Sequence, residues 1–273
     1  RQKYYRLTIL FSFFILLINS SNTFSQNIKE STFRFFKSVQ LSEIDQYGFI
    51  YNIEKDNLIK YDSKGEILYN YSNKLLGDIT QIDISNPLRP LLFYKDQGVI
   101  LALDNTLSQQ KSQISLNELG LYQTNCISNS NFDNGIWLYD LDVNEIIKIN
   151  YYSEIGYKSG NLSVILPNMD IPILNLKEKN RLLYATTREK IFVFDQFGSL
   201  LNVINLCAKN GLIIKEKYIF AYDGNFIMNY NILDFKIDTL IKSSKYSKII
   251  DGQDKIIAIS KDKSGASYID ILK

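Results

Sequence analysis

Carboxylates are the side chains of this sequence best placed to do chemistry. Glu54, Asp56, Asp96, Asp140, Asp142, Glu189 and Asp223 recur where two apolar runs meet. Oxygen ligands of this kind hold calcium, and paired carboxylates hydrolyse glycosides. Other chemistries are closed: there is no histidine among the 273 residues. Ser-His-Asp and Cys-His catalysis, and zinc sites that bear histidine, therefore lack their imidazole. The two cysteines, Cys126 and Cys207, lie far apart with no CxxC or metal-like spacing, and are expected to be buried and unpaired. Asp140-Leu141-Asp142-Val143-Asn144 starts like a calcium loop, yet Glu145 stands where the motif needs glycine and the closing glutamate is missing.

A second property of these residues explains most of them without a ligand. Asp and Asn favour tight turns because their side chains accept hydrogen bonds from nearby backbone N–H groups. Turn formation is thus the main expectation for the acids. A calcium-dependent hydrolase or lactonase, with a carboxylate site in a central channel, is the alternative.

The elements that must carry these turns repeat. Asp45-Gln46-Tyr47-Gly48-Phe49-Ile50-Tyr51 is followed by Asn57-Leu58-Ile59-Lys60-Tyr61-Asp62-Ser63-Lys64-Gly65-Glu66-Ile67-Leu68, and weaker copies continue down the chain. Short strands in units of about 40 residues predict an all-β fold, a β-propeller of four-stranded antiparallel blades. Six blades fit best, with five or seven as alternatives. The last blade, ending at 267–272, lacks an outer strand, and Phe33 to Lys37 is suited to supply it and remove a sheet edge.

Residues 1–25 read as a secretory signal peptide: Lys3 and Arg6 precede an apolar run that ends in small polar residues. Residues 26–273 then form a single propeller domain, with no stable transmembrane segment after cleavage. Removing Arg1, Lys3 and Arg6 with the signal takes the formal charge from +2 to −1. A domain without basic excess gives no reason to expect a nucleic-acid partner.

Two connections exceed what the repeat needs, 108–123 and 152–174, and long loops on a rigid scaffold carry recognition. The expected interaction face therefore comprises Asp96, Asp140, Asp142, Arg188 and Asp223 on the tips, with Leu162, Ile165 and Met169 in the second long loop. Nineteen tyrosines and sixteen phenylalanines could stack on sugars, but Tyr51, Tyr94, Tyr139, Tyr184, Phe220 and Trp137 occupy strand positions, where packing between blades is expected.

The two phrases quoted above resemble the NHL-like repeats of six-bladed propellers. With the export signal, the chain is similar to exported propeller proteins of Bacteroidetes. The repeat is structural and specifies no activity, and the sequence offers no recognisable catalytic set; no cofactor is expected, calcium being the alternative. The expectation is an exported, non-enzymatic protein in the periplasm or on the outer surface of a Gram-negative cell, binding an envelope protein or glycan.

Overall fold

Apolar runs broken by Asp/Asn-x-x-Gly turns fold here into antiparallel hairpins, because the turn supplies the left-handed residue that reverses the chain. The computed structural model describes residues 31–36, 41–252, 255–261 and 267–272; residues 1–25, read above as a signal, lie outside them. Strand β1 (Ser31–Phe36) comes first.

Five sheets then follow from consecutive strands. They are β2 to β5 (Leu41–Ile44, Ile50–Glu54, Asn57–Tyr61, Ile67–Ser72), β6 to β9 (Gln81–Asp83, Leu91–Tyr94, Val99–Ala102, Ile114–Ser115) and β10 to β13 (Thr124–Ser130, Gly135–Asp140, Glu145–Ile149, Ile155–Lys158). The next two are β14 to β17 (Asn175–Lys179, Leu182–Thr186, Ile191–Phe194, Leu200–Ile204) and β18 to β21 (Leu212–Ile214, Tyr218–Tyr222, Phe226–Asn231, Ile237–Lys242). A further sheet is composite: β22 (Tyr246–Asp251), β23 (Ile256–Lys261) and β24 (Ser267–Leu272) are joined by β1, which pairs antiparallel with β24.

The arrangement is an all-β propeller of antiparallel four-stranded sheets, and its core lies between the sheets. Alternate residues of a strand point to opposite faces, so each middle strand feeds two interfaces. Leu92 and Tyr94 pack with Tyr51 and Leu58 of the preceding sheet, while Leu91 and Phe93 pack with Ile127 and Leu138 of the following one. The same division recurs at Leu183 and Tyr184, which join Trp137 on one side and Ile219 on the other. Ile250 and Ile257 of the composite sheet meet Ile44 of β2. Middle strands such as β7, β11 and β16 are buried throughout, whereas the outer β5 and β21 face solvent along most of their length. Each fully buried Leu- or Phe-sized side chain contributes roughly 1.5–3 kcal/mol, so these interfaces hold the ring together.

One turn design recurs and accounts for many of the acids. Asp45, Asp62, Asp104, Asn150 and Asp195 each accept, through Oδ1, hydrogen bonds from the backbone N–H groups two and four residues on. Three residues on stands a residue with positive φ: Gly48, Gly65 and Gly198, but also Leu107 (φ 63°) and Ser153 (φ 65°). Gly198 is further constrained, since a Cβ there would fall 2.0 Å from the Tyr157 hydroxyl. One element differs from the sequence-based expectation: Ile155–Lys158 is the outer strand β13 within a region expected to be loop.

Candidate functional site

Because strands alternate in direction, the turn between the second and third strand of each sheet lies at the same end as the connection to the next sheet. The expected interaction residues therefore share one face, and hydrogen bonds tie turn to connection. Ile79 N–H donates to Lys55 O, Leu116 N–H to Gly98 O, Leu162 N–H to Asn144 O and Ser243 N–H to Asn225 O. Glu189 N–H donates to Asp170 Oδ2 in the same way.

Solvent reaches some of those residues and not others. Asp96, Asp142, Arg188 and Ile165 are exposed, and Asp223 is half-buried, its Oδ1 accepting from Asn225 and Phe226 N–H. Asp140 is corrected to a structural residue. It is 1% exposed, its Oδ2 accepts from Gln123 N–H and Thr124 Oγ1, and its Oδ1 accepts from Asp142 N–H. Leu162 and Met169 are likewise removed from the contact surface: both are buried against Trp137 and Phe192, because the connection folds an apolar side back onto the blade.

That connection is held firmly. Helix α1 (Leu162–Ile165) is capped by Asn161, whose Oδ1 accepts from Ser163 N–H, while Asn161 Nδ2 donates to Val143 O. Asn144 Nδ2 donates to Ser163 Oγ, and Asn144 Oδ1 accepts from Tyr139 OH at 2.6 Å. With Leu162 anchored inward, Val164 (78% exposed) and Ile165 (54%) face outward beside Leu141 and Val143 of the β11–β12 turn, which are also exposed. Leu141 N–H bonds to Gln123 O, next to the exposed Tyr122. This is an apolar patch on a braced support.

A central channel of about 830 Å³ runs along the innermost strands β2, β6, β14, β18 and β22. Its carboxylates are each engaged. Glu43 pairs with Lys248 at 2.7 Å and Asp251 with Lys215 at 2.5 Å. Asp83 accepts from Asn129 and Ser85 N–H, and Asp45 from Tyr47 and Phe49 N–H. Glu178, buried, accepts from Trp137 Nε1 at 2.7 Å and from Asn131 N–H at 3.0 Å. Among the described residues, no group of three or more His, Cys, Asp and Glu is arranged to hold a metal ion. Lys60 is buried beneath the rings of Phe49 and Tyr51 and donates to Asn105 O; burial lowers its pKa, and nearby Asp45 and Asp104 oppose that shift. Cys126 is a buried free thiol with its pKa pushed up to about 12 by burial, an inert small apolar group.

Sequence reasoning missed two features. The channel lysines gave no signal, because nothing in the spacing separates a lysine facing the channel from one facing solvent. The exposed rings at the opposite face did carry one: Tyr47, Tyr152 and Phe197 each stand two residues after the turn Asp or Asn.

Fold and channel together define a β-propeller, and solved structures agree. The chain is similar to a streptogramin B lyase structure (TM-score 0.61, 12% identity, covering 89% of this chain and 98% of that one). It is similar also to virginiamycin B lyase from Staphylococcus aureus (TM-score 0.60, 16% identity, 86% and 80%). A third is the Pan2 WD40 domain of Neurospora crassa (TM-score 0.58, 10% identity, 84% and 78%). At these identities the likeness is one of fold. No family model matches the chain, and no curated protein matches it. The NHL-like character and the likeness to Bacteroidetes proteins therefore stay readings of the residues alone. No described helix is long and apolar enough to cross a membrane.

Proposed function

We propose that the protein is a non-enzymatic propeller scaffold, exported to the cell envelope, that binds a protein or glycan partner through the face carrying α1 and the β11–β12 turn. In this reading the ring counts six blades, five contiguous and one composite, with β1 as its latch. The observation that carries the proposal is the patch of Leu141, Val143, Val164 and Ile165, exposed on segments that hydrogen bonds hold in place. Exposed apolar groups on a rigid, pre-formed surface mark interaction sites, because their ordering cost is met before binding.

The lyase neighbours do not carry their activity over. One such structure is of virginiamycin B lyase in a catalytically inactive variant with a histidine replaced by alanine, and this sequence has no histidine to take that place. Among the described residues the calcium-dependent hydrolase or lactonase gains no support, since no three acids are grouped to hold a metal ion and the channel carboxylates are occupied one by one.

The test is affinity capture from the host envelope with the tagged protein and with its Val164→Asp/Ile165→Asp variant. A partner recovered by the former and lost with the latter, at unchanged melting temperature, is the expected result. Equal recovery by both, or none by either, removes this reading.

A further inference from the structure

We infer that the face carrying the β2–β3, β12–β13 and β16–β17 turns seats on a lipid bilayer, its aromatic tips entering the interfacial layer without crossing it. This face is opposite to the one that carries α1, and the inference does not depend on the scaffold reading.

Antiparallel alternation puts the turn between the first and second strands of each sheet at the same end as the turn between the third and fourth. That end bears a large exposed apolar side chain in each of the five contiguous sheets: Tyr47, Leu88, Tyr152, Phe197 and Phe235 are 61–78% exposed. One such residue alone is ordinary on a protein surface. Here the turn fixes the position. In the recurrent design, the residue two places after the Asp or Asn gives its N–H to the turn and leaves its side chain at the tip. At three of the five turns of that design the tip is Tyr47, Tyr152 or Phe197, although Lys64 and Thr106 show that a polar side chain serves the turn as well. The rings are therefore not there for the fold.

Their distribution points to the occupant. On the α1 face Leu141, Val143, Val164 and Ile165 gather in one sector, which suits a compact partner. On the opposite face the tips are spread around the ring, so whatever covers them is broad and receives a ring at each point. A bilayer interface does both, and Tyr, Phe and Leu are side chains that partition into it. The turns of this face hold Glu66 and Glu216 as well as Lys64 and Lys217. Burial of apolar area, and not net charge, therefore supplies the attraction.

The course of the chain is a second, independent observation. Ser31, the first residue of β1, pairs with Ile271 near the end of β24, and the neighbouring Leu272 pairs with Ile256, the first residue of β23. Ile256 follows a turn between first and second strands, so Ser31 enters the ring at the end that bears the tips. The residues before it include Lys3, Arg6 and the apolar run 7–18, the part of the sequence suited to meet a membrane. A membrane that receives that run receives it from this side of the ring.

The experiment uses the full chain and phosphatidylcholine vesicles, with and without brominated acyl chains that quench tryptophan on contact. Trp137 is the sole native tryptophan and is buried, so a tryptophan placed at the surface reads against a steady background. With Phe197→Trp, vesicles should move the emission to shorter wavelength and the brominated lipid should quench it, in molar salt as in dilute buffer. Adding Tyr47→Ser/Tyr152→Ser should reduce that quenching at unchanged melting temperature. Val164→Trp, on the α1 face, should show neither the shift nor the quenching. Attachment to vesicles without quenching at Phe197→Trp would mean that the apolar run binds alone, and it overturns the inference. Equal quenching at Phe197→Trp and Val164→Trp, quenching abolished by molar salt, quenching undiminished by Tyr47→Ser/Tyr152→Ser, or no attachment at all overturns it too.

Discussion

Two arcs of the channel wall are joined in different ways. From β6 through β10 to β14, neighbouring sheets are locked by polar side chains that hydrogen-bond across the interface, half-buried at Gln81 and Asp83 and buried at Glu178. Gln81 exchanges hydrogen bonds with both the N–H and the C=O of Ile127, Asp83 receives Asn129 N–H, and Glu178 binds Trp137 and Asn131. From β14 through β18 and β22 to β2, the links are lysines: Lys177 to Leu212 O, Lys215 to Asp251 and Lys248 to Glu43. The difference separates two jobs. Buried, saturated contacts fix geometry, because removing one partner strands the other. Partly solvated lysine contacts add little stability and stay open to solvent and salt.

The largest expected effect is on the locked arc. Glu178→Ala removes the acceptor of Trp137 Nε1 and Asn131 N–H at once, with Glu178 and Trp137 both buried. A loss of about 2–4 kcal/mol is expected, as for a buried charged hydrogen-bond pair deprived of one partner. Urea denaturation measures it. Trp137 is the sole tryptophan, so its emission reports whether the interface between β11 and β14 has opened. A loss below about 0.5 kcal/mol, within the range of ordinary surface substitutions, would show that the two arcs do not differ as described.

How much of this could be read from the sequence depends on whether a residue's neighbours in the chain define its surroundings. The hairpins around Asp62 and Asp195 were legible because turn, glycine and apolar run are adjacent in sequence. Strand β13 was not: Ile155, Gly156, Tyr157 and Lys158 are exposed or half-buried on an outer edge, without the apolar run that marks a middle strand. The inward turn of Leu162 and Met169 was hidden for a related reason, since both fill a cleft made by Trp137 and Phe192 from other strands. Glu178 and its neighbours Lys177 and Lys179 show the limit most clearly. Alternation along β14 sends Glu178 back to Trp137 and Lys177 forward to Leu212, and a shift of one residue would exchange them.

A smaller effect is expected at Gln81. Gln81→Ala deletes a pair of bonds, Nε2 to Ile127 O at 2.8 Å and Ile127 N–H to Oε1 at 2.9 Å, but the site is half-buried and water can replace part of what is lost. About 1–2 kcal/mol in thermal or urea unfolding is the expectation, between the Glu178 value and that of the lysine arc. A cost equal to that of Glu178→Ala would mean that contact with backbone, and not burial, sets the strength of the locked arc.

The smallest effect should fall on Lys248. Its bond to Glu43 is short, at 2.7 Å, but both side chains keep solvent contact, so the Coulomb gain is screened and offset by the ordering of two long side chains. Lys248→Ala should therefore cost about 0–1 kcal/mol, and that cost should shrink as salt is raised from low to molar concentration, where the screening length falls to about 3 Å. The Glu178→Ala cost should change little over the same range, because Glu178 and its partner Trp137 Nε1 are buried and both of its partners are neutral N–H groups. Parallel salt series on the two variants read the contrast directly. If the Glu178 deficit were also to fade with salt, solvent would be entering the β10–β14 interface, and the two arcs would be one kind of wall.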